Sequence, residues 1–473
     1  MSEVNIRPQD FYSDTPPERI MGSECEYMVP NQLEKNGKMS NIIENLLRPG
    51  TINGAVGHRL ARPHNGTRLF LLNGACAYKD LSHLEYCTPE ARRPGELVAA
   101  DLAGSLIVGA LARAYSSEDI AIYRRVSTRH QQDTGTTSGY HENYMVGAES
   151  EDGSILSPLI DAHTATNVWG WSGIVDTSYE LSQKAIGVGV SLSDTPAGSL
   201  TQHGQKPIAR IVREADTTPS DSGWSRLEIR ACDAPFSPWA IYMKYATTSL
   251  VMLLAAHPQF IEKSLRTATL RDPIATLQQT SQDLSMSQTN QLTDGTAMRA
   301  VDIQRSLATS AQLMSEHIQI HESLEAAIPE WLAACDDLDK MSGQTTDHDF
   351  TLLADRVEWA ARHTILAKKL GHAAITRQRQ DTVMLDLIWD RVYPTGIATK
   401  YWSGQENAFS AHGSLDAQMH FAAAPPVDTR AAARAALLAS DDHFLSVTWS
   451  KLSSPNKTYL LKDAYSNRLP NAA

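Results

Sequence analysis

The spacing of apolar positions changes along the chain, and this change predicts where strands and helices lie. Short or alternating apolar runs predict a strand at residues 19–30 and mostly strands between residues 120 and 235. The stretch TRLFLLNGACAYKD predicts two strands around an Asn-Gly turn, because Asn-Gly favours a tight hairpin. From residue 236 to about 380 the apolar spacing becomes helical. The pattern therefore predicts a protein with both helices and a sheet.

Two long apolar segments predict helices in the interior. The segment PGELVAADLAGSLIVGALARAY has helical apolar spacing with proline at its start, and WAIYMKYATTSLVMLLAAH is apolar on nearly every side. By contrast, residues 275–295 are rich in Gln, Ser and Thr and predict an exposed connection. Near the end, DTRAAARAALLAS predicts a helix, and FLSVTWSKL and KTYLLKD predict strands.

A chain of 473 residues is too long for one ordinary core, and its composition shifts suggest three parts. Residues 1–18 are polar and contain prolines, so we expect a flexible N-terminal arm. Residues 19–403 are expected to form the main domain, and residues 404–473, which begin with a linker-like stretch, a small C-terminal domain.

Composition narrows the class of protein. Hydrophobic residues make up 42% of the chain and charged residues 20%, which is typical of a soluble globular protein. The formal net charge of -12 argues against nonspecific binding to nucleic acid. The five cysteines are scattered without a CxxC pair, which favours a reducing compartment and excludes a zinc or disulfide framework. We see no signal-like segment or membrane-length apolar run, so we expect a cytoplasmic protein with no membrane contact.

Acidic residues interrupt the predicted strands in an unusual way. Glu24 and Glu26 lie two residues apart, so they share one face of a strand. Burying two carboxylates side by side costs several kcal/mol each unless a positive charge balances them. Three further predicted strand regions carry similar polar groups: Asp80, His83, Glu85 and Glu90; His141, Glu142 and Asn143; and Arg226, Glu228 and Arg230. Such violations of the strand pattern concentrate at functional sites.

The chemistry that suits this set is phosphoryl transfer from a nucleotide. Mg²⁺ prefers oxygen ligands and bridges phosphates, so carboxylates on neighbouring strands could hold two or more such ions. Arginines would then neutralise the γ-phosphate of ATP as charge develops. The chain contains neither GxxxxGK[ST] nor GxGxxG, so a P-loop or a dinucleotide-binding motif is not supported.

At these residues the sequence resembles the glutamine synthetase-like carboxylate–amine ligases. Within them, RIMGSECEY, LLNGACAYKDLSHLEYCTPE, GYHENYMV, ELSQK, DLIWDRV and YLLKDAY are similar to the Pup ligase and Pup deamidase family, in the same order from about residue 19 to 465. The resemblance implies an α+β fold with a curved, mostly antiparallel sheet packed by helices, plus a small C-terminal α/β domain. It also implies ATP with Mg²⁺, a small disordered Pup-like modifier protein and lysine-bearing target proteins.

The resemblance assigns roles to individual residues. Asp80 matches the catalytic aspartate, a base or nucleophile beside the γ-phosphate. The implied metal ligands are Glu24, Glu26, Glu85, His141 and Glu228, and the implied nucleotide-binding residues are Arg213, Arg226, Arg230, Tyr144 and Ser182. For His83 we favour a role in orienting a neighbouring carboxylate.

The sequence also departs from the family. The Pup enzymes have histidine at the position of Glu228, whereas glutamine synthetase has glutamate in the corresponding strand. The Pup enzymes also have arginine at the position of Cys76. The short segment at residues 31–67 favours a ligase over the deamidase. The leading hypothesis is an ATP-dependent ligase that phosphorylates a glutamate-type carboxylate and joins it to an amine. A deamidase or deconjugating hydrolase, a small-molecule γ-glutamyl ligase and a non-catalytic homologue stay open as alternatives.

Overall fold

A seven-stranded antiparallel sheet, in the order β11-β12-β6-β1-β4-β3-β2, is the frame of the protein. The computed structural model describes residues 19–29, 42–47, 68–81, 83–115, 120–126, 138–147, 154–175, 178–192, 206–212, 224–267, 269–343, 349–375, 380–440 and 444–470. The strands are β1 Met21–Tyr27, β2 Arg68–Phe70, β3 Cys76–Asp80, β4 His83–Cys87, β5 Ile122–Tyr123, β6 Tyr140–Gly147, β7 Ile174–Val175, β8 Tyr179–Glu180, β9 Val188–Val190, β10 Lys206–Pro207, β11 Ala209–Val212, β12 Trp224–Ile229, β13 Thr289–Gln291, β14 Ala297–Arg299, β15 Arg391–Tyr393, β16 Ser446–Val447, β17 Lys451–Ser453 and β18 Thr458–Leu460.

Helices cover one side of this sheet and extend beyond it. They are α1 Ile42–Leu46, α2 Pro94–Tyr115, α3 Leu156–Thr166, α4 Pro238–Ala256, α5 Lys263–Thr267, α6 Pro273–Gln282, α7 Ala300–Ser315, α8 Glu322–Glu325, α9 Ala327–Met341, α10 Glu358–Leu370, α11 His372–Ile375, α12 Gln380–Trp389, α13 Ile397–Trp402, α14 Leu415–Ala423 and α15 Arg430–Ala439. The predicted strand at 19–30, the predicted hairpin and both predicted core helices are confirmed.

The alternation of β1 decides which side chains reach the core. Met21, Cys25 and Tyr27 are buried toward the helices. On the same side, Ser23 Oγ donates to Asp101 Oδ1 of α2 over 2.7 Å. Strand pairing places Glu24, Glu26 and the matching residues of neighbouring strands on the opposite side of the sheet. We call this side the acidic face.

Helix α2 is long and apolar enough to cross a membrane by length and composition alone. In the fold, however, 72% of its most apolar window is buried, which is typical of a core helix. Helix α4 packs beside it and is capped by Ser237, whose side chain accepts a hydrogen bond from the Ala240 backbone N–H. Both apolar segments therefore serve the interior of the protein.

The strands predicted between residues 120 and 235 are present, and the region also contains a helix that was not predicted, α3, in which Leu156, Leu159 and Ile160 form the buried side. One prediction of local structure is wrong: residues 275–295 are not a simple exposed connection. They contain most of α6, capped by the Asp272 side chain, and β13 of a hairpin. The Asp272 cap favours the helix at α6, and the packing of its apolar side favours the helix at α3.

A buried network of ion pairs joins distant parts of the chain. Arg125 donates to Asp386 over 2.8 Å and to Asp390 over 2.6 Å, and Arg362 contacts the same two aspartates. The Gln183 side chain donates to Asp390 and accepts from the Val126 backbone N–H. Since losing one partner of such a pair costs about 3–5 kcal/mol, the network fixes α10 and α12 against the segment before Lys184.

The C-terminal elements pack on the sheet next to the acidic face. Phe70, Cys76 and Cys87 share a core with α15 and with β16–β18. Arg430 and Arg434 both hold the buried carboxylate of Glu90. The predicted C-terminal helix and strands are confirmed. The boundary at residue 404 stays a prediction, and the predicted arm at 1–18 lies outside the described residues.

Acid should weaken the packing of α3 through His163. Burial lowers the pKa of His163 from 6.5 to about 3, so below pH 6.5 the unfolded chain binds a proton that the folded chain excludes. Stability is therefore lost as pH falls, by ~1.4 kcal/mol per pH unit for this group. We expect His163→Gln to remove that share of the slope between pH 6.5 and 4.5, measured by urea unfolding. Parallel pH profiles for the two proteins would contradict the assignment.

Candidate metal and nucleotide site

Strand pairing gathers the candidate residues into two adjacent rows on the acidic face. Tyr78, Glu85 and Glu26 are cross-strand neighbours in one row. Glu24 and His141 are neighbours in the next, together with Cys87. Sequence alternation places each set on one face, but only the register between strands brings them together.

The first group consists of Glu24, His141 and Glu228, whose ligand atoms all lie within 4.8 Å of one another. His141 Nδ1 lies 2.9 Å from Glu24 Oε2 and 3.4 Å from Glu228 Oε1. Three arginines surround the group: Arg226 donates to Glu24 over 3.1 Å, and Arg210 and Arg230 each donate to Glu228 over 2.5 Å. The first group is therefore nearly balanced in charge by protein groups alone.

The pKa values of the first group reflect this balance. Burial alone would raise the pKa of Glu228, but His141 and the three arginines lower it to about 2. Burial likewise opposes the ionisation of Glu24, yet its hydrogen bond with His141 and the charge of Arg226 leave its pKa below the usual value. Both carboxylates are thus ready anionic ligands.

The second group consists of Glu26, Asp80 and Glu85, again with ligand atoms within 4.8 Å of one another. His83 Nδ1 lies 3.0 Å from Glu26 Oε2, which supports the prediction that His83 orients a neighbouring carboxylate. Burial and the charge of Glu24 raise the pKa of Glu85 well above its usual value. Burial and the charge of Glu26 also raise the pKa of Asp80. Burial also opposes the ionisation of Glu26, but its hydrogen bond with His83 leaves its pKa below the usual value, so the repulsion within the second group falls on Asp80 and Glu85.

The donor chemistry of the second group fits a divalent cation such as Mg²⁺. All three side chains offer carboxylate oxygens, and their mutual repulsion is what a bound cation would relieve. The first group could hold a second ion through two carboxylates and one imidazole, although arginines already occupy part of its lone pairs. The sequence predicted these five ligands as one set, whereas the structure divides them, with Asp80, into two groups.

Basic residues that the sequence analysis missed border both groups. Arg210 lies on β11 and faces Glu228 across the strands. Lys184 is buried and donates to the Ser138 carbonyl oxygen over 2.8 Å, and burial lowers its pKa to about 7. Gly139 follows Ser138 in the chain, and a Cβ added to Gly139 would lie only 2.5 Å from Glu26 Oε1. Arg210 lies in a predicted strand close to the strand that carries Arg226, Glu228 and Arg230, and this charged residue in a strand was the available signal for Arg210.

An open cavity adjoins the first group. Glu24, Asn143 and Arg226 form its polar side, and Met145 and Trp449 are among its apolar lining. Arg226 also donates to Asn143 Oδ1 over 2.5 Å. The cavity therefore combines a charged end beside the carboxylates with an apolar wall from the sheet and the C-terminal elements.

The remaining predicted nucleotide-binding residues have other placements. Tyr144 borders the cavity, but its ring packs against Tyr245 and its hydroxyl donates to Glu142 on the helix-covered side. Ser182 is buried, and its hydroxyl donates to Asp233 Oδ1 over 3.1 Å. Neither hydroxyl reaches the carboxylates of the first or second group. Arg213 lies outside the described residues.

Comparison with known proteins places this arrangement in context. The family model of the Pup-ligase proteins matches residues 19–453. A Pup–protein ligase of Renibacterium salmoninarum is 25% identical over 468 residues, covering 95% of both chains. One of Bifidobacterium dentium is 28% identical over 393 residues, covering 78% of this chain and 75% of the relative.

Solved structures share the fold. A complex between the prokaryotic ubiquitin-like protein Pup and its ligase PafA has a TM-score of 0.75 at 20% identity, covering 95% of this chain and 89% of that chain. The ligase PafA in complex with ADP has a TM-score of 0.69 at 19% identity, covering 85% of this chain and 87% of that one. The predicted α+β fold class, with a mostly antiparallel sheet packed by helices, is confirmed.

Proposed function

Because its residues 19–453 match the Pup-ligase family model, this chain belongs to the Pup-ligase family, and we propose that it is an ATP-dependent carboxylate–amine ligase. Its substrates would be a small disordered Pup-like modifier protein ending in glutamate and lysine-bearing target proteins. The observation that carries the proposal is the pair of adjacent carboxylate groups on the acidic face: one is balanced by arginines, and in the other burial and neighbouring carboxylates raise the pKa of two of the three acids. The similarity to Pup–protein ligases supports the direction of the reaction.

The first half-reaction would transfer the γ-phosphoryl group of ATP to the carboxylate of the modifier. Glu26 and Glu85 would hold Mg²⁺ and leave Asp80 beside it as the proton acceptor, with Glu24, His141 and Glu228 as candidates for a second ion. When bound, Mg²⁺ neutralises phosphate oxygens and so makes the γ-phosphorus more electrophilic. Arg226 and Arg230 lie at the charged border, where they can stabilise the transferring group as negative charge spreads over its oxygens.

The second half-reaction needs a neutral amine. A lysine ammonium has a pKa of ~10.4 in solution, so the site must accept a proton before the nitrogen can attack the acyl phosphate. Asp80 is the best-placed acceptor, because it lies at the end of β3 beside Glu26 and is only partly buried.

The cavity beside Glu24 and Arg226 is our candidate for the nucleoside part of ATP. Met145 and Trp449 offer apolar contact for a planar base, while Arg226 lies at the phosphate end. Such an orientation would bring the γ-phosphate to the carboxylate groups. We further propose that the reaction takes place in the cytoplasm, without nucleic acid or membrane as a partner.

The decisive experiment incubates the protein with ATP, Mg²⁺, a Pup-like peptide ending in glutamate and a lysine-bearing protein. We expect one ADP for each new isopeptide bond, measured by coupled ADP assay and intact mass, and no product after chelation of Mg²⁺. Cleavage of a preformed conjugate or of a C-terminal glutamine amide without net ADP would instead indicate the hydrolase alternative. Product formed with free glutamate but not with the peptide would indicate a small-molecule ligase.

A further inference from the structure

The turn between β3 and β4 presents an apolar side chain to solvent at the edge of the second group. Leu81 follows Asp80 directly and is 85% exposed, the highest value among the exposed large hydrophobic residues of the described chain. Its neighbours in the hairpin, Asp80 and His83, are cross-strand partners, and His83 contacts Glu26. Leu81 therefore lies at the tip of the hairpin that carries the proposed base.

The backbone of Leu81 makes this placement more unusual. Its φ is +47°, in the left-handed region, which favours glycine, asparagine or aspartate over a bulky residue. A two-residue hairpin turn at this point would be formed more easily by Asn-Gly. Leucine thus carries a backbone cost and exposes apolar surface, and such costs collect at functional positions.

We propose that Leu81 contacts the methylene chain of the acceptor lysine and so selects long aliphatic amines over small ones. This inference rests on the proposed ligase function. An acceptor lysine has to bring its nitrogen to Asp80 while its four-carbon stem extends outward from the site. Leu81 adjoins Asp80 in the chain and is open to solvent, so the stem of an approaching lysine can cover it.

The polar lining of the second group explains why an apolar contact from Leu81 would help to select the acceptor. The groups that line the second group are charged or polar, namely Glu26, Asp80, His83 and Glu85. Apart from the ring of Tyr78 in the same row, these described groups offer no apolar contact that distinguishes the stem of lysine from water or ammonia, both of which could also attack an acyl phosphate. A single apolar side chain at the rim stabilises only an acceptor that carries methylenes, at about 4-fold in affinity for each methylene covered.

The test compares two acceptors for the same acyl phosphate. The probes are Nα-acetyl-lysine methylamide, which has the full lysine stem, and hydroxylamine, which has no methylene and traps acyl phosphates as hydroxamates. Each is titrated with ATP, Mg²⁺ and the Pup-like peptide, and kcat/KM is measured for the unaltered chain, Leu81→Asn and Leu81→Met. Leu415→Asn, at a 61% exposed leucine of α14, is the matched surface control.

We expect Leu81→Asn to lower the ratio of kcat/KM for the lysine amide to that for hydroxylamine by about 4- to 15-fold, as one or two methylenes lose their contact. The loss should lie in KM for the amine, Leu81→Met should restore the ratio, and Leu415→Asn should leave it unchanged. An equal loss with both acceptors, or no loss with either, would overturn the inference while leaving the ligase intact. Absence of hydroxamate with the unaltered chain would overturn the ligase proposal itself.

Discussion

Replacing Asp80 with asparagine is expected to lower the rate of conjugation at least ~100-fold. Asparagine keeps the shape of the side chain but cannot accept the proton that the lysine ammonium must lose before its nitrogen attacks. The structure gives Asp80 a raised pKa through burial and the nearby charge of Glu26. Removing its charge should also ease the repulsion within the second group, so the variant should fold as well as the unaltered chain.

The measurement separates chemistry from binding. Single-turnover conjugation should be slow in Asp80→Asn, while nucleotide binding with Mg²⁺, followed by calorimetry, should be retained. Asp294→Asn makes the same chemical change in an exposed hairpin turn and should leave the rate unaltered. If Asp80→Asn keeps most of its conjugation rate, Asp80 is a structural residue of the hairpin and the base lies elsewhere.

Glu85→Gln should abolish the stabilisation of the protein by Mg²⁺. Glu85 is 3% exposed and lies between the charges of Glu24, Glu26 and Asp80, which together with burial raise its pKa. Without metal, the ionised carboxylate weakens the fold, so the variant should unfold at the same or a higher temperature in EDTA. With Mg²⁺ at 100 times its Kd, the unaltered chain should gain about 2.7 kcal/mol, and the variant should lose most of this gain.

Thermal unfolding in EDTA and in Mg²⁺, each with and without ADP, checks this second prediction. Glu44→Gln, which changes a surface glutamate paired with Lys79, is the control and should respond to Mg²⁺ like the unaltered chain. Equal stabilisation of Glu85→Gln by Mg²⁺ would contradict a cation in the second group. It would leave the first group, where arginines already supply charge, as the only candidate among the described residues.

The sequence predicted which side chains lie together on the acidic face, but it did not predict how they divide into two groups. Two-residue spacing placed Glu24 with Glu26 and Arg226 with Glu228 on common faces, because that depends on one strand at a time. The division into two groups depends on pairing Glu24 with His141 and Glu26 with Glu85, residues far apart in the chain. No local pattern contains that register, so the sequence could not supply it.

Lys184 and helix α3 were not predicted from the sequence for a similar reason, since both depend on the tertiary fold. Lys184 follows a short turn organised by Asp233, which accepts from the backbone N–H groups of Gln183 and Lys184. A lysine in such a turn is ordinarily a surface residue, and only the tertiary fold buries it. Helix α3 was missed because its neighbours read as strands, whereas its stability comes from packing against α4, α6 and α7.

The ion pairs of Arg430 and Arg434 with Glu90 have a consequence for folding during synthesis on the ribosome. Glu90 and Arg434 are separated by 344 positions in the chain. At a synthesis rate of ~5–20 residues per second, Arg434 follows Glu90 out of the ribosome by roughly 20–70 s. During that interval the Glu90 carboxylate lacks both guanidinium partners, and the wall that Trp449 gives to the cavity does not yet exist. A nascent chain therefore cannot complete this cavity until residues 430–449 have emerged.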